Sequence, residues 1–168
     1  GSGKSTTCLL CIEAGMDYLS DDFCLIRPLP EPTVISLYSS GKLHRDHFQR
    51  FPDLAARSVD PVPDVFEKPV VFLQQHFPDR TKTRLPLRTV IVPQVSGEEH
   101  TRWEPLSPAG ALRALSSSTM FQFSPDDGTA FRDTAATLRG LKCFRLHLGL
   151  RTGEIVPAVR EILKIASP

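Results

Sequence analysis

The sequence has little net charge and no long apolar run. Its 168 residues carry a formal net charge of +1, which argues against long-range attraction to nucleic acid or to an anionic membrane. No apolar run in the sequence approaches the ~20 residues that a transmembrane helix requires. We therefore expect neither nucleic acid nor a membrane among the binding partners.

Cysteine is also scarce. The four residues Cys8, Cys11, Cys24 and Cys143 all stand in apolar stretches. The first two have the spacing of a metal-binding or redox pair, but a second pair at such spacing is lacking. Free cysteine is among the most deeply buried residue types, so we expect all four to serve packing. Reduced thiols favour a cytoplasmic location.

The composition is that of an ordinary globular domain, with 40% hydrophobic and 23% charged residues. Apolar periodicity predicts helices that begin near Lys4, Ser107, Phe131 and Ile155. Strands are predicted over 18–26 (interrupted at 21–22), 34–38, 70–73, 89–93 and 143–148. Helices and strands are intermixed without strict alternation. The sequence therefore predicts an α/β fold with a mixed sheet flanked by helices.

Two of these elements carry a burial prediction. The strand at 70–73 is apolar throughout, which is typical of a strand buried on both faces. The helix from Ile155 is amphipathic, and its spacing predicts that Val159, Ile162 and Leu163 face the interior together with Ile155.

The most informative motif stands at the beginning, Gly1-Ser2-Gly3-Lys4-Ser5-Thr6. It matches the second half of the phosphate-binding pattern G-x-x-x-x-G-K-[ST], in which backbone amides close around phosphate oxygens. Lys4 is expected to place its charge on the β- and γ-phosphates, and Ser5 to offer its hydroxyl to Mg²⁺. The N-terminal amides of the following helix face the same anion. The alternative is an incidental G-K-S-T at the start of a helix.

The motif is incomplete in this sequence. Its first glycine would stand three residues before Gly1, and a strand normally feeds the loop. We therefore expect residues 1–168 to form a single phosphate-loop domain that is truncated at its N-terminus. The first strand and the first half of the loop are expected to be missing from this sequence.

Two adjacent carboxylates, Asp21 and Asp22, follow the helix and have apolar residues on both sides. Burying two such charges is costly unless a cation, a hydrogen-bond donor or water compensates them. In a phosphate site one carboxylate can hold Mg²⁺ and the other can accept a proton from an attacking hydroxyl. A polar turn between two strands is the alternative, because Asp-Asp is common in turns. The phosphate motif upstream favours the metal-and-base interpretation.

The phosphate motif, the helix ending at Ala14-Gly15-Met16-Asp17 and the acid pair after Tyr18-Leu19-Ser20 together resemble the HPr kinase/phosphorylase-like family. Members of this family share a phosphate-loop core with ATP-dependent phosphoenolpyruvate carboxykinase. The resemblance is firmest over residues 1–27. Beyond these residues it rests on the order of strands and helices.

The resemblance implies a fold like the C-terminal domain of HPr kinase, with ATP and Mg²⁺ as cofactors. The implied activity is phosphoryl transfer to a hydroxyl on a small molecule, a peptide or a protein, and homo-oligomerisation stays open. Catalytic roles fall to Lys4, Asp21 and Asp22. Metal binding falls to Ser5, Asp21 and Asp22. Cofactor binding falls to Gly1, Ser2, Gly3, Lys4, Ser5, Thr6 and, as a basic residue near the γ-phosphate, Arg102.

A second polar stretch, Ser39-Ser40-Gly41-Lys42, follows the strand at 34–38. Lys42 can act as a second anion contact that reaches a phosphate or the acceptor. The stretch can equally be a polar turn, which its residue types favour.

Three functions are compatible with these motifs. The first is an ATP-dependent kinase that acts on a hydroxyl. The second is a nucleotide hydrolase or switch with water as the acceptor, although a guanine-reading N-K-x-D run is absent from the sequence. The third is a nucleotide-binding relative that does not catalyse.

Overall fold

The computed structural model describes residues 2–28, 30–42, 50–56, 58, 69–119 and 128–166. Its helices and strands are intermixed along the chain, which confirms the predicted mixed α/β class. Of the helices described, none is long and apolar enough to cross a membrane. The elements in chain order are α1 (Lys4–Glu13), β1 (Cys24–Arg27), β2 (Thr33–Ser36), β3 (Ser40–Lys42), α2 (Pro52–Ala55), β4 (Val70–Phe72), α3 (Leu73–His76), β5 (Arg84–Pro86), β6 (Thr89–Val95), β7 (Arg102–Leu106), α4 (Pro108–Thr119), α5 (Thr129–Arg139), β8 (Lys142–Leu148), a 3₁₀ turn (Thr152–Glu154) and α6 (Ile155–Ala166).

The chain divides into two compact units. The N-terminal unit comprises Gly3–Leu25 and Val34–Leu85, and the C-terminal unit comprises Gly1–Ser2, Ile26–Thr33 and Pro86–Pro168. Strands β1, β2 and β5 form a three-stranded sheet in the order β1-β2-β5. The division into two compact units does not show whether residues 1–168 fold as one domain. The prediction of a single domain therefore stays a prediction.

In the N-terminal unit, helix α1 packs on the antiparallel pair of strands β3 and β4. Gly41 of β3 lies opposite Val71 of β4. A Cβ at Gly41 would lie 3.2 Å from the Leu73 side chain and 3.4 Å from that of Leu9. The absence of a side chain at Gly41 therefore allows α1 to pack closely on β3. The buried residues of this core are Leu9, Ile12, Tyr18, Phe51, Leu54, Val71 and Leu73.

The C-terminal unit contains a three-stranded sheet in the order β6-β8-β7. Strand β6 runs parallel to β8, with Val90 opposite Cys143. Strand β7 runs antiparallel to β8, with Trp103 opposite Leu146. The mixed sheet predicted from the sequence is therefore present in this unit.

Helices cover both faces of this sheet. Cys143 of β8 packs with Ala111 of α4 and Leu138 of α5. Side chains alternate along a strand, so Leu146 faces the other way. On that face the indole N–H of Trp103, which lies opposite Leu146, donates to Glu161 of α6 at 3.0 Å. Helices α4 and α5 thus cover one face and α6 covers the other.

Two burial predictions are wrong in detail. Phe72 is 45% exposed, because β4 is only three residues long and the chain enters α3 immediately after it. Leu163 is 40% exposed, because the inward stripe of α6 ends at Ile162 and the next residue is rotated by about 100° around the helix. The buried positions of α6 are Ile155, Ala158, Val159 and Ile162.

Gly149 lies where the backbone after β8 passes close to another segment. A Cβ at this position would clash with the carbonyl carbon of His100 and would lie 2.6 Å from the carbonyl oxygen of His100 and 2.7 Å from the backbone nitrogen of Thr101. We expect Gly149→Ala to lower the free energy of unfolding by about 3 kcal/mol, because the obstructing atoms are backbone. Urea denaturation measures the difference. Gly153→Ala is the control, since a Cβ there meets nothing within 4 Å. Equal midpoints for the two variants would contradict this reasoning.

Candidate functional site

Helix α1 begins at Lys4 because Gly3 turns the chain into it. Gly3 adopts φ 87° and ψ 7° in the left-handed region, which glycine enters without the strain that a Cβ would add. Its carbonyl accepts hydrogen bonds from the Thr7 amide at 3.0 Å and from the Thr7 hydroxyl at 2.9 Å. In any α-helix the first-turn amides point out of the N-terminal end and carry partial positive charge. This end of α1 is therefore suited to an anion.

The segment after α1 is fixed to the same unit through Tyr18. The predicted strand before the acid pair is reduced to a single parallel bridge between Tyr18 and Thr81. The Tyr18 amide donates to the Arg80 carbonyl at 2.9 Å, and its hydroxyl donates to the Ser40 carbonyl at 3.1 Å. These contacts hold the chain beside β3 just before it reaches Asp21.

The Asp21 carboxylate connects α1 with β3. The Ser5 hydroxyl donates to Oδ1 of Asp21 at 2.9 Å. The backbone amide of Lys42 donates to Oδ2 at 3.2 Å. Both carboxylate oxygens thus have donors, from residues 16 positions before and 21 positions after Asp21. The predicted metal ligands Ser5 and Asp21 are in direct contact.

Opposing effects set the protonation of Asp21. Burial raises the pKa of its carboxyl above the ordinary value, and this is the largest effect. The hydrogen bonds from the Lys42 amide and the Ser5 hydroxyl act in the opposite direction. The neighbouring Asp22 charge raises the pKa further, whereas the Lys4 ammonium lowers it. Lys4, Ser5, Asp21 and Asp22 therefore form one electrostatic cluster.

Asp22 differs from Asp21 in exposure and in its partner. Its side chain is 41% exposed, and its Oδ2 lies 3.7 Å from the Lys42 ammonium. An exposed ion pair of this kind contributes only about 0–1 kcal/mol to stability. The pair therefore does little for the fold and leaves Asp22 accessible to a second molecule.

The acid pair also occupies a bend, as the turn interpretation predicts. The Ser20 hydroxyl donates to the Phe23 carbonyl at 2.5 Å and to the Tyr38 carbonyl at 3.3 Å. The bend presents Asp21 to Ser5 and Asp22 to solvent. The turn and the clustering of carboxylates with Lys4 are thus two descriptions of the same segment.

Tyr38 is a second aromatic neighbour of the acid pair. Its ring packs edge-on against Phe23, with centroids 6.5 Å apart. Loss of solvent raises the pKa of the Tyr38 hydroxyl, and the Asp22 and Asp21 charges raise it further. Sequence reasoning placed Tyr38 only in a strand. The effect of the Asp21 and Asp22 charges on Tyr38 depends on tertiary packing, which no local sequence pattern reports.

The four cysteines differ in burial. Cys143 is buried and Cys8 and Cys11 are partly buried, but Cys24 is exposed, so the prediction that all four serve packing is wrong for Cys24. All four lie in the described part of the chain, and none of them is in a disulfide. Burial, with a smaller contribution from the Asp21 charge, raises the pKa of Cys8 to about 12. The Cys8 thiol therefore stays protonated at neutral pH and is a poor nucleophile or metal ligand.

The other predicted site residues lie in several places. Thr6 is buried in α1, and Ser2 is exposed. Gly1 lies outside the described residues. Arg102 belongs to the C-terminal unit, where its guanidinium donates to Glu98 at 2.9 and 3.2 Å. Its role near a γ-phosphate stays a prediction.

Removing the Asp21 charge is expected to change how stability depends on pH. A carboxyl whose pKa is raised on folding adds stability that is complete below its unfolded pKa, ordinarily 3.8, and is lost as the pH rises through the folded pKa. Asp21→Asn does not titrate. Relative to the wild type, we therefore expect this variant to gain stability between pH 3 and pH 7.

Urea denaturation at a series of pH values measures this difference. The asparagine amide replaces one hydrogen-bond acceptor by a donor. The stability lost with that hydrogen bond does not vary with pH. Only the slope of the difference against pH reports the buried charge. If the stability of Asp21→Asn relative to the wild type stayed constant or fell as the pH rose, burial would not raise the pKa of Asp21.

Among the residues described, no three His, Cys, Asp or Glu side chains converge on a point that could hold a metal ion. The hydroxyl of Ser5 and the two carboxylates are oxygen ligands, which Mg²⁺ prefers, and Mg²⁺ usually completes its coordination with water and substrate phosphates. No protein-family model, curated protein or solved structure matches this chain. The resemblance to the HPr kinase/phosphorylase-like family therefore stays a prediction based on the motifs quoted above.

Proposed function

We propose that the N-terminal unit binds a nucleoside triphosphate with Mg²⁺ and transfers its terminal phosphoryl group to a hydroxyl acceptor. One observation carries the proposal: the 2.9 Å hydrogen bond from the Ser5 hydroxyl to the Asp21 carboxylate. It joins the lysine-bearing end of α1 to the acid pair. A hydroxyl and a carboxylate in this arrangement are the groups that hold Mg²⁺ in phosphate-loop proteins.

Each residue has a distinct task in this proposal. Lys4 and the first-turn amides of α1 bind the phosphate oxygens. Ser5 and Asp21 would hold Mg²⁺ through their oxygens, and the ion would supply positive charge to neutralise the phosphates. Asp22 is the more exposed carboxylate and faces the acceptor.

The transfer step involves one bond made and one bond broken. The acceptor oxygen bonds to the γ-phosphorus while the bond from that phosphorus to the bridging oxygen breaks. The proton of the acceptor hydroxyl passes to the Asp22 carboxylate. The nucleoside diphosphate departs, and the phosphorylated acceptor remains. The protein contributes mainly by positioning the reactants and by electrostatic stabilisation.

The direct test supplies the protein with Mg²⁺ and ATP labelled at the γ-phosphate. Panels of hydroxyl-bearing small molecules, peptides and proteins serve as acceptors. We expect label on an acceptor, at a rate that depends on acceptor concentration. Release of inorganic phosphate without such dependence would indicate a hydrolase or switch. Tight nucleotide binding in calorimetry with neither product would indicate a relative that does not catalyse.

A further inference from the structure

Lys42 is held beside the acid pair by the packing of its strand. It is the last residue of β3 and lies opposite Val70 of β4. The preceding Gly41 packs against the side chains of Leu73 and Leu9. Close packing of this kind resists displacement. The backbone of Lys42 therefore has a defined position relative to α1.

Lys42 contacts both carboxylates with different groups. Its backbone amide bonds Oδ2 of Asp21 at 3.2 Å, whereas Ser5 bonds Oδ1. Its ammonium lies 3.7 Å from Asp22. Lys42 and Ser5 thus approach Asp21 through different oxygens. The ammonium pairs with Asp22, whereas Ser5 in the first turn of α1 pairs with Asp21.

A polyphosphate that starts at the N-terminus of α1 and passes Ser5 on its way to Asp22 meets this ammonium last. The pair between Lys42 and Asp22 is exposed and weak, so exchanging Asp22 for a phosphate oxygen costs little. A hydrogen bond between an ammonium and a phosphate is charge-assisted and stronger than a neutral one. The exchange is therefore favourable when the third phosphate is present.

We propose that Lys42 recognises the terminal phosphoryl group and makes the site selective for triphosphates over diphosphates. This inference rests on the proposed function of the N-terminal unit. It adds an order of events. When the Lys42 ammonium moves to the phosphate, the Asp22 carboxylate becomes available to the acceptor hydroxyl. Acceptor activation then follows nucleotide binding.

Calorimetry with Mg²⁺-ATP and Mg²⁺-ADP tests the inference. Lys42→Met removes the ammonium, keeps the aliphatic stem and leaves the amide that bonds Asp21. We expect it to lower ATP affinity about tenfold and ADP affinity by less than about threefold. Lys42→Arg should restore most of the ATP affinity, because the positive charge returns.

Lys82→Met is a matched control. Lys82 is in the same unit, is 37% exposed against 40% for Lys42, and pairs with Asp17 at 3.7 Å, the distance between Lys42 and Asp22. This control should leave both affinities unchanged. An equal loss of ATP and ADP affinity in Lys42→Met, or no loss, would overturn the inference while the wild type still transferred phosphate. A wild type that binds neither nucleotide would overturn the proposed function and the inference together.

Discussion

Replacing Asp22 by asparagine is expected to lower phosphoryl transfer by about 10²–10⁴-fold, the usual contribution of a positioned general base. The amide cannot accept the acceptor's proton at neutral pH. Stability should change by less than about 0.5 kcal/mol, because the side chain is exposed and its ion pair is weak. ATP affinity should be retained or slightly increased, because Lys42 no longer shares its charge with Asp22. Steady-state kinetics and calorimetry on the same preparation separate these effects.

Asp17→Asn is the control for this change. Asp17 pairs with Lys82 at 3.7 Å and is 39% exposed, close to the 41% of Asp22. We expect its transfer rate to equal that of the wild type. An unchanged rate in Asp22→Asn would remove Asp22 from the chemistry. A parallel loss of rate and Mg²⁺-ATP affinity would instead assign Asp22 to the metal.

The two carboxylates become distinguishable only through their surroundings. In the sequence Asp21 and Asp22 are adjacent and equivalent, and either could hold the metal or accept the proton. In the fold Asp21 has donors on both oxygens and is partly buried, whereas Asp22 is exposed. The direction in which each side chain leaves the bend at Asp21 and Asp22 decides this, and no sequence pattern reports that direction.

Part of the candidate site could be proposed from the sequence because its residues are close together along the chain. The G-K-S-T motif at a helix start and an acid pair a short distance later indicate phosphate and metal chemistry by residue type alone. The hydrogen bond from Ser5 to Asp21 brings these two predicted groups together. Ser5 and Asp21 are only 16 residues apart, so the sequence itself shows that the two groups are close along the chain.

Lys42 and Tyr38 could not be assigned in the same way. The proximity of Lys42 to the acid pair depends on the pairing of β3 with β4 and on the close packing of Gly41 against Leu9. That of Tyr38 accompanies the packing of its ring against Phe23. The paired strands are far apart in sequence, and turn-forming residue types at 39–42 favoured a polar turn. Tertiary packing overrode that local preference.

In the C-terminal unit the sequence predicted the helices and strands better than it predicted which strands lie side by side. The alternation of Cys143 to Leu148 and the helical spacing from Ile155 correspond to β8 and α6. That β8 lies between a parallel β6 and an antiparallel β7 was not predictable, because apolar alternation fixes which face is buried and not which strand is adjacent.

Lys4→Ala is expected to reduce Mg²⁺-ATP affinity by about 100-fold and transfer by at least as much. Lys4 lies at the start of α1, where its charge adds to that of the first-turn amides. A smaller effect of the lost Lys4 charge should appear in the stability of the nucleotide-free protein. The Lys4 ammonium lowers the pKa of Asp21, so its removal raises that pKa further. The resulting loss of stability should be present at pH 7 and vanish near pH 3, where Asp21 is protonated in both states.

Lys82→Ala should change neither ATP affinity nor this pH dependence, since its ammonium pairs with Asp17. In the double variant Lys4→Ala/Asp21→Asn, the pH-dependent part of the stability loss should disappear, because no titrating carboxyl remains opposite Lys4. If that part persisted, Lys4 would act on another group. If ATP affinity survived the loss of Lys4, the N-terminal end of α1 would not be the phosphate site, since its amides alone lack the charge that a triphosphate requires.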